Sequence, residues 1–170
     1  MLCDVCSSTL RVRVASLTNP YVYELSGLDD IRLSGVKIHR CRKCKTETPM
    51  IPRIAELHRV IARILLNKPG RLKGQEIRFL RKFAGKSSQQ FAELVGVDPA
   101  TLSRAECDKR AFGASADKLV RVIAGAVRHM KESNAVALMA PQPARDTIWR
   151  QVTLEPTDST WQEAAAGGGR

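Results

Sequence analysis

The chain has 170 residues and a formal net charge of +11, which suits one medium domain or two small ones and favours a polyanionic partner. Hydrophobic residues make up 44%, yet there are only four Phe, two Trp and two Tyr, so any core must be mainly aliphatic. No apolar run reaches the ~18 residues of a membrane span, and the basic-then-apolar pattern of a secretory signal is missing at the start; a cytoplasmic protein with no membrane contact is expected.

The positive charge is uneven: +5 over residues 1–65, +7 over 66–134 and −1 over 135–170. The first block opens with Cys3-Asp-Val-Cys6 and closes with Cys41-Arg-Lys-Cys44. Each C-x2-C turn can aim two thiolates at one cation, and two such turns make a closed tetrahedral zinc site. Between them Leu10–Val14, Tyr21–Leu25 and Ile31–Val36 alternate in polarity and are separated by Asn19–Pro20, Gly27 and Gly35, the pattern of an antiparallel meander. So short a sheet buries little apolar surface, and a metal staple would supply the missing stability. One structural zinc per chain, held by Cys3, Cys6, Cys41 and Cys44, is the expectation. Disulfides, which suit secreted chains, and a redox pair, which needs a helix N-terminus after its first cysteine, are the alternatives. His39 is near enough in sequence to compete as a ligand. With four thiolates there is no open coordination position, so catalysis by the metal is not expected.

A helix should follow over Pro52–Leu66, with Ile54, Leu57, Ile61, Ile64 and Leu65 at three- and four-residue spacing, ended by Asn67–Lys68–Pro69–Gly70. Its apolar stripe suits either packing within the chain or a dimer seam. A second helix is expected over Leu72–Ala84, with Ile77, Leu80 and Phe83 inward and Arg78, Arg81 and Lys82 outward.

The stretch Gly85–Arg110 predicts two short helices and a tight turn. Ser87 is an N-cap with Gln90 at capping-box spacing. Gly96 ends the first helix, as glycine takes the left-handed conformation cheaply. Asp98 caps the second, with Pro99 at its first position. Leu102 points to the core, and Ala100, Thr101, Ser103 and Arg104 face outward. This is the pattern of a helix-turn-helix, whose second helix enters the major groove; an ordinary helical hairpin with a solvated face is the bland reading. Lys86, Lys109 and Arg110 flank the second helix as phosphate contacts. Cys107 reads as a bystander. Ser115 should cap a last helix with Leu119, Val122, Ile123, Ala126 and Val127 on its apolar face. Residues 135–170 are Pro/Ala-rich and then glycine-rich, a flexible tail or a clasp, with one strand conceivable over Thr147–Glu155 and Trp149, Val152 and Leu154 available for packing.

Ala92, Gly96–Val97, Leu102 and Ser103–Arg104–Ala105–Glu106 together resemble the Xre-type helix-turn-helix. Ser87–Ser88 stand where that family often has Thr-Gln, with Gln89 a possible substitute for the missing glutamine. The order of the halves, a C-x2-C…C-x2-C block, a helix, then LKGQEIRFLRK leading into the two short helices, resembles the MqsA antitoxin family, with a YgiT-type zinc finger in front. The resemblance spans roughly residues 1–130. It implies a structural zinc domain that also contributes to toxin binding, and a homodimeric C-terminal domain on palindromic double-stranded DNA, usually the promoter of its own operon. It implies a base-reading role for Arg104; Ala100 stands where the best-known member has a base-reading asparagine, so a different operator is implied. The DNA-contacting set is then Lys86, Ser87, Ser88, Gln89, Pro99, Ala100, Thr101, Ser103, Arg104, Lys109 and Arg110.

The expected fold class is α+β: a zinc-stapled antiparallel β domain over 1–50, a connector helix over 51–68, an all-α helix-turn-helix domain over 69–134 and a flexible tail over 135–170. The expected function is a DNA-binding repressor, either the antitoxin of a toxin–antitoxin pair or a stand-alone regulator of the same build. A zinc or thiol enzyme is disfavoured: no His/Glu pair, Ser/His/Asp set or glycine-rich phosphate loop is legible.

Overall fold

The computed structural model describes residues 2–130 and 151–164. It is a mixed α+β chain of seven strands and five helices among the described residues. Contacts divide it into two units. The first comprises Met1–Leu25, Asp29–Leu57 and the described part of Arg150–Arg170; the second comprises Ser26–Leu28 and the described part of His58–Trp149. His58–Trp149 thus lies in sequence between two parts of the first unit.

The first unit holds two sheets. β1 (Leu10–Val14), β4 (Lys37–Cys41) and β5 (Glu47–Met50) form an antiparallel sheet with β4 central. β1 lies where polarity alternates. The charges in Lys37-Ile-His-Arg-Cys41 obscured the alternation of β4, in which Ile38 and Cys41 are buried. β5, which contains Pro49, had no counterpart among the expected strands. The structure makes β5 an edge strand, the place where a missing N–H is tolerated.

The other sheet runs β2 (Tyr21–Val22), β3 (Ile31–Leu33), β6 (Val152–Pro156), β7 (Trp161–Glu163). β2 and β3 are shorter than the alternation over Tyr21–Leu25 and Ile31–Val36 implied: after β2 the chain enters a single 3-10 turn at Glu24–Ser26, and β3 ends before Gly35, which has a left-handed φ of 71°. β3 pairs in parallel with β6, in the register Ile31↔Val152, Arg32↔Thr153, Leu33↔Leu154. Of the two readings of 135–170, a flexible tail is corrected for residues 151–164: β6 lies largely within the Thr147–Glu155 stretch, with Val152 and Leu154 in it, and β7 is a second, unforeseen strand; residues 135–150, including Trp149, and 165–170 lie outside the described residues. The physical reason is burial: Leu154 and Trp161 are within 2% of complete burial, and the Trp161 indole N–H donates to the Pro52 carbonyl at 3.1 Å.

α1 (Ile54–Leu66) crosses the division between units. Of the expected stripe, Leu57, Ile61 and Leu65 are buried, so most of it is not free to serve as a dimer seam; Ile54 is exposed and Ile64 half-buried, while Leu66 is buried as well. The second unit continues with α2 (Gly74–Phe83), α3 (Ser88–Val95), α4 (Pro99–Glu106) and α5 (Ala114–Val127). The core contains Ile77, Leu80, Phe91, Ala92, Leu102, Val120 and Ala124. Gly74 lies so close to the end of α4 that a Cβ there would overlap the Ala105 carbonyl and stand 2.8 Å from backbone atoms of Glu106.

Two expectations about α5 are corrected. Its N-cap is Gly113, and Ser115 lies inside the helix. Its most buried face is Asp117, Val120, Arg121 and Ala124, while Leu119 and Val127 are exposed. The reason is a buried ion pair. The Arg121 guanidinium donates to Asp117 Oδ2 at 2.9 Å and to the carbonyls of Leu65, Leu66, Lys68 and Gly70 at 2.6–3.1 Å. Asp117 Oδ1 accepts from the Leu72 N–H at 2.7 Å. One side chain thereby satisfies the carbonyls at the end of α1, which a helix terminus leaves open. Alongside, buried Lys68 donates to both oxygens of Glu76 at 2.8 Å.

Candidate functional site

The two C-x2-C turns have matching backbones. The Cys3 N–H donates to Ser8 O at 2.9 Å and the Cys41 N–H to Thr46 O at 3.0 Å. The residue after each second cysteine, Ser7 and Lys45, has a left-handed φ of 55° and 64°. Neither is glycine, so both positions carry local strain; that strain gave no signal in the sequence. The β1–β4 register places Leu10 opposite Cys41, and Leu2 bridges Thr9, which brings the first turn back to the end of β4.

The result is a cluster in which the sulfurs of Cys3, Cys6, Cys41 and Cys44 all lie within 4.8 Å of one another. The Cys3–Cys44 and Cys6–Cys41 separations are 3.6 and 3.4 Å. Four thiolates about 2.3 Å from a tetrahedral ion would be about 3.8 Å apart, so the set fits one metal ion. Donors around the sulfurs favour thiolates. The Thr46 hydroxyl, then its N–H, lower the Cys44 thiol to about 6. The Ser8 N–H, then its hydroxyl, lower that of Cys6. The Val5 and Cys6 N–H groups favour the Cys3 thiolate too, but burial and the neighbouring sulfurs outweigh them and push it up to about 11. His39 lies on β4 between Val12 and Thr48, outside the cluster.

In the second unit, Ser87 caps α3: its hydroxyl accepts from the Gln90 N–H at 3.2 Å, and the Gln90 side chain accepts from the Ser87 N–H at 3.1 Å. Gly96 has φ 75° at the C-cap. Asp98 caps α4, accepting the Thr101 N–H at 2.9 Å and the Thr101 hydroxyl; the hydroxyl contact, then the N–H, hold its carboxyl below the usual value. α3 packs on α4. Leu102 and Ala105 turn inward, and Pro99, Ala100, Ser103 and Arg104 are exposed, with Thr101 half-buried. Beyond α4, Asp108 takes a left-handed φ of 56° and Lys109 and Arg110 are exposed. At the other end of the set, Ser87 and Gln89 are exposed and Lys86 and Ser88 half-buried.

Arg81, expected to face outward, instead grips the end of α4. Its Nε donates to Glu106 Oε1 at 2.6 Å and its Nη2 to Oε2 at 3.0 Å, and this pairing raises its pKa. The Arg81 Nη1 also donates to Lys86 O at 3.1 Å. Glu106, 7% exposed, therefore ties α4 to α2, a role that helical periodicity could not reveal because both residues lie on polar sides.

No protein-family model, curated protein or solved structure matches this chain.

Proposed function

We propose that the chain is a sequence-specific DNA-binding repressor that acts as a homodimer, with α3 and α4 as its helix-turn-helix and zinc in the four-cysteine cluster. The observation that supports it is the outward face of α4. Its first turns present Ala100, Ser103 and Arg104 to solvent, on a helix anchored at one end by the Asp98 cap and at the other by Glu106 and Arg81. A short helix capped at one end and held to α2 at the other can be laid into a major groove at little backbone ordering cost.

Arg104 has the planar fork that matches guanine O6 and N7. The Thr101 hydroxyl is engaged by Asp98, which leaves its methyl for a thymine. Lys109 and Arg110 would hold phosphates, with Lys86, Ser87, Ser88 and Gln89 at the start of α3 near the backbone. Zinc, when bound by Cys3, Cys6, Cys41 and Cys44, would be a closed staple, with no position for substrate. The proposed biological setting is an antitoxin that binds a toxin through the edges of the three-stranded sheet and controls its own operon. A stand-alone regulator would use the same α4 chemistry.

The test starts from an operator selected from random duplexes, in which half-sites about 34–36 Å apart, or a multiple, are expected. Arg104→Ala should cost roughly 1–3 kcal/mol on that operator and relax one base pair per half-site. Equal weakening of selected and scrambled DNA would make Arg104 a phosphate clamp; a selection that yields no preferred site would end the repressor reading.

A further inference from the structure

The first unit carries a charged feature that its metal cluster does not explain. A groove of about 520 Å³ beside Cys41 is lined by Arg11 and Arg13 of β1, Arg40 of β4, and Arg42 and Lys45 of the second C-x2-C turn. One carboxylate, Glu47, answers these five cations, at 3.7 Å from Arg13 and 3.6 Å from Arg40. Arg11 and Arg42 are exposed and make no ion pair among the described residues. Arg11 stands directly opposite Arg40 in the β1–β4 register, an arrangement of like charges that destabilises a strand pair. The first C-x2-C turn, by contrast, carries Asp4 and Val5 between its cysteines. Of the two turns only the second brings cations to the groove, Arg42 and Lys45, and the Lys45 ammonium donates to Arg42 O at 2.9 Å.

We propose that this groove binds the phosphate backbone of double-stranded nucleic acid, so that the four-cysteine module is itself a sequence-independent nucleic-acid-binding surface. Four of its five cations are guanidinium groups, whose fork matches phosphate oxygens in pairs. Arg11 and Arg13 are two residues apart on one strand, about 6.7 Å along it, commensurate with the step between successive phosphates. No aromatic side chain lines the groove, so it has no platform on which an unpaired base could stack. What remains is contact with the backbone, which positions a duplex without reading it. The inference does not require α4 to read bases.

The experiment uses the full chain, zinc-loaded, and a duplex of arbitrary sequence about 30 base pairs long. Fluorescence anisotropy is recorded at several salt concentrations for the wild type, for Arg11→Gln/Arg42→Gln and for Arg11→Lys/Arg42→Lys, with zinc content and circular dichroism confirming the fold. The Gln pair should weaken binding on the order of ten-fold at low salt and make the salt slope shallower by about two units; the Lys pair should keep the wild-type slope. Unchanged affinity and slope in the Gln pair would overturn the proposal, as would a wild type that binds no duplex. If poly-L-glutamate at equal charge concentration displaces the duplex as well as unlabelled DNA does, the groove is a site for acidic protein segments and the nucleic-acid assignment is wrong. Arg104→Ala, measured alongside, separates the two readings: a flattened slope in the Gln pair together with no change of base preference in Arg104→Ala would remove the role of α4 and leave this one standing.

Discussion

The two units solve one problem, a small core, in opposite ways. The first brings four cysteine sulfurs together at the end of a thin sheet and leaves Val12, Val14 and Met50 exposed on it. The second places charge inside: Arg121 is fully buried, with Asp117, Lys68 and Glu76 beside it. A metal ion in that cluster would concentrate its stabilisation at one point, the end of the three-stranded sheet. A buried ionic network is distributed: each member is held by several partners, and removing one leaves the others charged and unsatisfied. The units should therefore fail differently.

Metal removal is the sharpest way to break the comparison. If zinc fills the cluster, chelation or Cys41→Ser should withdraw on the order of 10–16 kcal/mol of binding energy that is also folding energy. Amide exchange should then show the first unit open and α2 to α5 still protected. Equal loss of protection in both units would mean that they are not separately stabilised.

The network comes next. Arg121→Met should destabilise the second unit by about 3–5 kcal/mol in denaturant unfolding, because Asp117 and the carbonyls of Leu65, Leu66, Lys68 and Gly70 lose their donor. Replacing Asp117 and Arg121 together with apolar residues should cost less than Arg121→Met alone. If it costs as much or more, the pair stabilises by its own attraction, and the loss does not come from orphaned partners.

The smallest effect expected is at Gly74. Gly74→Ala pushes a methyl against the carbonyl of Ala105 and the backbone of Glu106, and a clash with backbone should cost roughly 1–3 kcal/mol, read as a lower midpoint for the second unit only. A neutral or stabilising result would mean that α2 can slide away from the end of α4.

The same contrast explains what was legible in the sequence. The cysteine pairs and the caps at Ser87, Gly96 and Asp98 are local signals: a spacing or a residue type at one place dictates the geometry, and the structure has them where the sequence puts them. The buried face of α5 was not legible, since hydrophobic periodicity places a charged pair outside and Arg121 lies inside. Its partners come from the end of α1 and the segment after it, which no window on α5 contains. Arg81 and Glu106 were hidden for the same reason. β4 was masked by its charges; the strand at β6 was foreseen within Thr147–Glu155, but its pairing with β3 was hidden by their distance in sequence. The outward residues of α4, Ala100, Ser103 and Arg104, were legible as a pattern of exposure; the basic groove was not, because Arg11 and Arg42 become neighbours only through the β1–β4 pairing.

The parallel pairing of β3 with β6 has a consequence for how the protein is made. As the chain leaves the ribosome, Ile31 and Leu33 emerge early, but their partners Val152 and Leu154 follow only after the whole inserted unit has been translated. Domains fold as units during synthesis, so the inserted helices can fold while β2 and β3 still wait with one strand edge open. An open, apolar edge invites pairing with other nascent chains. Arg32, in the middle of β3, interrupts what would otherwise be an uncharged β-forming run, the position where a charge discourages such pairing. β6 and β7 then close the sheet that β2 and β3 began.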